Sequence, residues 1–431
     1  MPVFIDVFSG CGGLSLGLIK AGWQGLFAVE KSPMAFETFN HNFLDPGEVG
    51  GFQWPDWLPP EAMDVEILLR DYRVQLARLK GTVHLLAGGP PCQGFSLAGR
   101  RKTADQRNQL FQSYLELVGF LQPMFLVIEN VAGFANDFHR TEKGLKGKKI
   151  SGDLYNAHKA LVTSLDKLDY ECYTKFTLMA KDYGVPQLRP RYINVAVHRD
   201  YLLTNPLEYL ENHARKALLQ NYGLDTEQPI SVADAISDLL MAHGTITVPF
   251  PRSQSFKMGL YGHIESHYQQ VMRTKLGGDL FQQGDNVDSH RFPNHREKTL
   301  WRFQDILDRH EKGRQLRREQ IREYNLNKHR IAPIAPDKPC NTLTSLPDDL
   351  IHYQEPRVPT VREYARLQSF PDYFAIKSEY TTGSYRRKYK IPRYTQVANA
   401  VPPFLAQAIG MTFLDHLQAV GVGLVSAAGS V

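Results

Sequence analysis

The chain has 431 residues, a net charge of +5, and 42% hydrophobic against 22% charged residues. That is a globular composition, long enough for two domains or for one large domain with a sizeable insertion. No apolar run approaches the roughly 18 residues of a membrane span, and residues 3–8 enter a strand with no basic leader ahead of them, so a cytoplasmic protein is expected.

Four scattered cysteines, Cys11, Cys92, Cys172 and Cys340, form no CxxC pair and so point to neither a disulfide framework nor a zinc site. The first segment, VFIDVF (3–8), reads as a buried strand, followed by the glycine loop SGCGG and a helical segment ending at Gly22. A second strand, GLFAVE, ends in Glu30. Glycines let a backbone approach a ligand at a helix N-terminus, and an acid at the end of the second strand can bind ribose hydroxyls, so this unit suits a nucleoside. A dinucleotide fingerprint would need glycine where Ser15 stands, which disfavours nicotinamide. Phe8, at the end of the first strand, either packs against an adenine or belongs to the core.

Residues 33–44 read as a helix, residues 45–60 as a loop, and Asp64 and Val65 open a periodic segment that leads to the strand Val83 to Ala87. Gly88, Gly89, Pro90 and Pro91 stop that strand abruptly and deliver Cys92 to a rigid turn. Two prolines fix φ ahead of the cysteine, and Gly94 lets the following loop approach a ligand. A buried, inert thiol is the alternative. The carboxyl end of a strand, where open α/β sheets carry their sites, favours a presented nucleophile. The next stretch holds Arg100, Arg101, Lys102 and Arg107, which suits either a solvated surface or a basic loop closing over an anionic polymer.

Leu110 to Leu121 is helical in period, and Met124 to Ile128 is a strand ending in Glu129, Asn130 and Val131. Parallel strands bring their carboxyl ends to one edge, so Cys92 and Glu129 are expected at one site. After a helix (155–168) and a long strand (170–180), Gln187, Arg189 and Arg191 alternate ahead of another strand, and a period of two puts all three on one face.

Together these stretches resemble the DNA cytosine-5 methyltransferase family. The resemblance rests on DVFSGCGGLSLG (6–17), Glu30, GPPCQGFS (89–96), ENV (129–131), QLRPR (187–191), VREYARLQSFP (361–371) and QVANAVP (396–402), all in the family's order. It implies an α/β fold with a doubly wound, mostly parallel sheet and an inserted, smaller target-recognition domain. Residues 1–198 would be the catalytic and cofactor-binding domain, 199–390 the recognition domain, and 391–431 a return to the catalytic domain. It implies S-adenosyl-L-methionine as cofactor, held by Phe8, Ser9, Gly10, Cys11, Gly12, Gly13, Leu14, Glu30, Asp64, Val65, Pro91, Asn399 and Val401. Catalysis would fall to Cys92, Glu129, Arg189 and Arg191. Gln93, Ser96 and Gln187 would touch DNA, together with Arg100 and Arg101 of the basic loop and Arg386 and Arg387 of the basic stretch YRRKYKIPRY (385–394). The substrate would be double-stranded DNA with its target cytosine flipped out, because a stacked base cannot offer carbon 6 to a thiolate.

The central segment fits no catalytic motif. His263 and His267 have helical ligand spacing but no accompanying cysteine pair, so no metal is expected. From Arg296 to Arg330 there are eleven Lys/Arg against six Asp/Glu. Leu300, Phe303 and Leu307 suggest a helix with a buried stripe there, whose basic face is either solvated or contacts phosphate. A transfer-RNA methyltransferase and a catalytically silent DNA-binding relative are the alternative readings. The long central segment favours DNA, and the intact Cys92, Glu129 and Arg191 favour an active enzyme. A monomer is expected. No nuclease or helicase motif is present, so a restriction or phage-defence partner would be a separate chain.

Overall fold

The computed structural model describes residues 1–90, 106–130, 138–139, 154–155, 157–250, 254–326, 328–381 and 390–421. Its centre is a six-stranded sheet of β1 (Val3–Val7), β2 (Gln24–Val29), β3 (Leu85–Gly88), β4 (Phe125–Asn130), β5 (Tyr170–Met179) and β6 (Pro190–His198), in the order β2-β1-β3-β4-β6-β5. The first four strands run parallel, and β6 runs antiparallel to both neighbours. The alternation of side chains divides the core in two. Phe4, Leu85, Phe125 and Val127 face one layer of helices, while Ile5, Leu86, Leu126 and Ile128 face the other. This is the doubly wound arrangement that the sequence predicts.

Helices α1 (Gly13–Ala21) and α2 (Pro33–Phe43) lie on the first face, and α3 (Val65–Asp71) and α4 (Gln106–Leu121) on the second. Two of these starts have a local cause: Ser32 caps α2 through its hydroxyl with Pro33 as first residue, and Asp64 caps α3. The chain returns at its end to α1. A Cβ on Gly13 would stand 2.3 Å from the carbonyl oxygen of Val401, and one on Gly17 would stand 2.5 Å from that of Pro403. Trp23 Nε1 donates to the Gly410 carbonyl at 2.9 Å. Residues Arg393–Ala419 are long and apolar enough to cross a membrane by composition, which reading by apolar runs missed. Most of that stretch is buried inside the protein, and the apolarity serves the core.

The central segment is less separate than its composition suggests. Residues from Leu207 to Val287 and from Ala332 to Ile376 bury side chains in the same core as Phe4 and Leu16. Among the described residues, a small separate core joins Phe303, Ile306, Leu307, Leu316, Ile321, Tyr324 and Ile331 to Ile351 and Val358. Within it, the amphipathic helix α5 (Glu297–Arg309) buries Phe303, Ile306 and Leu307, whereas Leu300, expected in the stripe, is 38% exposed. Ile306 fills the stripe between Phe303 and Leu307, whereas Leu300 shares their face but lies one turn before the small core begins. A second, three-stranded antiparallel sheet is formed by β7 (Thr245–Phe250), β8 (Gln254–Leu260) and β9 (Asn286–Arg291).

Helix α6 (Val361–Leu367) is buried along its whole length although it carries two arginines and a glutamate. Arg366 binds Asp372 and Asp238, Arg273 binds Asp238, and Arg362 binds Asp288, all through side-chain hydrogen bonds of 2.6–3.1 Å. Every one of these buried arginines has an acidic partner, which is what makes its burial tolerable. The network ties β9 and the 238–273 region to α6.

Candidate active site

A cleft of about 1940 Å³ opens at the carboxyl ends of β1 to β4, and its lining also includes Ser255 and Phe256 of β8, Arg291 of β9 and residues of the segments 345–348, 380–381 and 390–401. Phe8, Ser9, Gly10, Cys11, Leu14, Glu30, Asp64, Val65, Glu129, Arg189, Arg191, Asn399 and Val401 all line it, so the structure gathers most of the expected site from widely separated stretches. Pro91, Cys92, Gln93, Ser96, Arg100, Arg101, Arg386 and Arg387 lie outside the described residues.

The nucleoside end is built on the first βαβ unit. Glu30, at the end of β2, accepts the backbone N–H of Gly10 at 3.0 Å and that of Ser32 at 2.6 Å, which fixes its carboxylate toward the glycine loop. Burial raises its pKa, and the amides of Ser32, Gly10 and Lys31 pull it back. Phe8 adopts a left-handed φ of 64° to turn out of β1 into this loop. The hydroxyl of Ser9 is buried with no hydrogen-bond partner among the described residues. Asp64 holds Lys31 at 2.5 Å while capping α3 at the rim. Gly12 and Gly13, expected to contact the cofactor, do not line the cleft. Their missing side chains serve packing instead: a Cβ on Gly12 would lie 2.3 Å from the Phe43 ring, and Gly13 abuts Val401.

The chemical end lies at β3 and β4. Gly89 follows β3, and a Cβ there would stand 3.3 Å from Glu129 Oε2, while Asn130 Nδ2 donates to the Pro90 carbonyl at 3.2 Å. The turn leading to Cys92 therefore starts against the Glu129 carboxylate and is tied to the residue beside it. Burial pushes the Glu129 carboxyl above its usual range, against the pull of Arg191, which forms an ion pair with it. The same burial lowers the Arg191 pKa. The three cysteines within the described residues are poor nucleophiles, since burial pushes the thiols of Cys11 and Cys340 up to about 12 and that of Cys172 to about 11.

The three alternating side chains after residue 186 divide their work. Arg191 meets Glu129. Arg189 donates to the carbonyls of Leu343 (3.2 Å) and Ala398 and to Gln187 Oε1 at 3.3 Å, fastening the C-terminal motif to the catalytic sheet. Gln187 is fully buried, and its amide donates to the Leu367 carbonyl and Gln368 Oε1 while accepting from Leu343 N–H. The expected DNA contact by Gln187 is thus corrected, because both polar atoms of its side chain are engaged inside the protein. His267 likewise sets its Nε2 against the Tyr222 carbonyl at 2.7 Å.

Two residues escaped the sequence reading. Gln396 bonds Thr38 Oγ1 and the carbonyls of Met34, Lys377 and Ile391, locking α2 to the C-terminal motif. Its place inside QVANAVP was the only signal. Asp6 lies in β1 at 1% exposure and accepts the Ser15 hydroxyl at 2.6 Å. A lone acid in a buried strand was the available sign.

Residues 3–414 match the model of the C-5 cytosine-specific DNA methylase family. The type II methyltransferase M.DdeI of Desulfomicrobium norvegicum is 28% identical over 94% of this chain and 86% of its own length. M1.HphI of Haemophilus parahaemolyticus is also 28% identical, over 95% of this chain and 86% of its own. DNA (cytosine-5)-methyltransferase 1 of Mus musculus aligns at 28% identity with 94% of this chain, using 28% of its own length. A crystal structure of an Escherichia coli prophage-encoded chain, described as a DNA modification methyltransferase, shares the fold with a TM-score of 0.64 at 23% identity, covering 97% of this chain and 100% of that one. With nearly its whole length matched, the chain belongs to the C-5 cytosine-specific DNA methylase family.

Proposed function

We propose that the enzyme transfers a methyl group from S-adenosyl-L-methionine to carbon 5 of a specific cytosine in duplex DNA, through a covalent adduct of Cys92 with a flipped base. The observation that carries this reading is the Glu129 carboxyl, buried, paired with Arg191 and lying 3.3 Å from where a Gly89 side chain would begin, three residues before Cys92. The unpartnered Ser9 hydroxyl, the oriented Glu30 carboxylate and the half-buried Phe8 ring fit the cofactor's polar end, ribose and adenine. Phe8, Ser9, Gly10, Glu30, Asp64, Asn399 and Val401 would hold it there. When bound, it supplies an electrophilic methyl on a sulfonium.

Carbon 5 of cytosine is a weak nucleophile until something adds at carbon 6. The Cys92 thiolate forms that bond, and Glu129 in its neutral form gives its proton to ring nitrogen 3, leaving an enamine-like ring. Phe8, Ser9 and Glu30 would hold the cofactor so that its methyl, the group it would give up as a sulfonium becoming a thioether, faces the nucleophilic carbon 5. Loss of the carbon 5 proton to solvent expels Cys92 and restores the ring, and nitrogen 3 returns its proton to Glu129. General acid help of this kind contributes about 10²- to 10⁴-fold. A thiol with a pKa of about 8.5 is mostly protonated at neutral pH, and Arg191 is the described cation near the turn that favours its ionised form.

The type II methyltransferases among the relatives support a restriction-modification or phage-defence setting, with any nuclease on a separate chain. Incubating the protein with labelled S-adenosyl-L-methionine and either duplex DNA or total transfer RNA tests the reading. Incorporation at carbon 5 of cytosine in the duplex alone is expected. Incorporation into transfer RNA alone would replace the substrate, and none in either would overturn the activity.

A further inference from the structure

The lining of the cleft includes an arginine with no role in the mechanism derived above. Arg291, the last residue of β9, has its guanidinium carbon 4.2 Å from the centre of the Phe256 ring and 3.8 Å from that of Tyr380. The register explains the first contact. Arg291 pairs with Met258 of β8, and Phe256, two residues earlier on that strand, projects from the same face as the diagonal neighbour. Tyr380 comes from the C-terminal side and is itself covered by Arg393 at 4.2 Å, whose own donors are held by the Ser378 carbonyl and the Ser289 hydroxyl. All three of Phe256, Arg291 and Tyr380 line the cleft that also contains Glu129 and Glu30.

The strand that carries Arg291 is fixed residue by residue. Asp288 is bound by Arg362, Ser289 donates to the Ile376 carbonyl, and His290 Nδ1 meets Thr360 Oγ1 at 2.8 Å. A guanidinium stacked on rings presents its N–H edge in plane, and one held on a strand with three anchored predecessors loses little freedom when it binds. A contact that needs only charge would not require such placement, whereas a planar pair of acceptors would.

We propose that Arg291 is a sequence-reading residue, donating in-plane hydrogen bonds to the O6 and N7 acceptors of a guanine in the major groove of the bound duplex, with Phe256 and Tyr380 as its clamp. This rests on the reading of the protein as a DNA methyltransferase and assigns part of its specificity to β9. A bidentate arginine–guanine contact discriminates against other bases by about 1–3 kcal/mol, which is about 5- to 150-fold.

The test uses the full-length enzyme and the site obtained by sequencing wild-type methylation products. Arg291→Lys keeps the charge and loses the fork, and Phe256→Leu loosens the clamp while leaving the arginine. Methylation kcat/KM is measured on the cognate duplex and on a set with each base pair replaced in turn, with cofactor affinity as the control for folding. The expected result is a loss of about 5- to 150-fold in discrimination at one G·C position in Arg291→Lys. Phe256→Leu should lose less at the same position, and cofactor affinity should stay within about twofold in both. An equal loss on every duplex, with a salt slope reduced by about 0.9, would make Arg291 a phosphate contact and overturn the proposal. Unchanged discrimination in Arg291→Lys would overturn it as well. Failure of the wild type to methylate any duplex would instead count against the methyltransferase reading itself.

Discussion

Arg191 reaches Glu129 diagonally across the antiparallel pair β4–β6. Ile193 is the residue opposite Glu129, and Arg191, two positions earlier on the same face, forms the ion pair at the mouth of the cleft. The strand that breaks the parallel run of the sheet is the one that brings this arginine to the carboxyl ends of the others. The pair is nearly buried, with 5% and 13% of the two side chains exposed. Its charge state is therefore set by the interior rather than by solvent.

Glu129→Gln keeps the shape and an acceptor for Arg191 but removes the proton. Single-turnover methyl transfer should fall by about 10²-fold or more with DNA affinity little changed. Because the neutral carboxyl is the donor, the wild-type rate should decline as pH rises through the raised Glu129 pKa, and the variant should lose that limb. A variant rate within a few-fold of wild type would assign the proton elsewhere.

Asp6 predicts a pH dependence of stability. Burial raises its carboxyl from 3.8 to about 7, opposed by the Ser15 hydroxyl and reinforced by the charge of Glu30. Between these values the folded protein binds a proton that the unfolded chain does not, so stability is fully present below about pH 4 and is lost as pH rises toward 7. The loss amounts to as much as about 4 kcal/mol at about 1.4 kcal/mol per pH unit. Asp6→Asn should flatten this part of the curve, as read by denaturant midpoints between pH 5 and 8. An unchanged slope in the variant would mean that Asp6 is ionised in the fold.

Much of this site was legible in the sequence because the relevant residues sit at strand ends, where local pattern and topology coincide. The βαβ unit ending in Glu30 and the strands before Cys92 and at Glu129 follow from periodicity and glycine or proline stops. What the sequence did not disclose is which side chains turn inward. Gln187, Arg189 and Arg191 share an alternation of two, yet the short pairing of Gln187–Leu188 with Cys340–Asn341 brings the first two against the C-terminal motif, and only Arg191 meets Glu129. The charged helix α6 was equally opaque, since its burial depends on Asp238, Asp288 and Asp372, which lie as far as 128 residues away. Composition also overstated the independence of the central segment, because shared burial is a property of three-dimensional packing.

Gly13→Ala should destabilise the protein by about 1–3 kcal/mol or more, since the added methyl meets the backbone oxygen of Val401, which cannot rotate away. Gly119→Ala is the matched control: it lies in α4, no described atom comes within 4 Å of where its methyl would stand, and the change should be neutral or slightly stabilising. Melting temperatures of the two variants give the comparison, and equal effects would refute the close approach of the C-terminal motif to α1.

Glu30→Ala should weaken S-adenosyl-L-methionine by roughly 1.5 to 3 kcal/mol through loss of a charge-assisted contact to ribose, and it also frees the Gly10 and Ser32 amides that the carboxylate now orients. Titration calorimetry reads this directly. Unaltered affinity would move the ribose contact to another residue.

A duplex carrying 5-fluorocytosine at the target position tests the covalent role of Cys92. Fluorine replaces the proton whose loss releases the enzyme, so wild-type protein with S-adenosyl-L-methionine should accumulate a denaturation-resistant complex with the DNA. Cys92→Ala should form none and should transfer no methyl groups while still binding the cofactor. Methyl transfer retained by Cys92→Ala, or a wild-type enzyme that methylates ordinary duplex yet leaves fluorinated duplex unattached, would contradict the account.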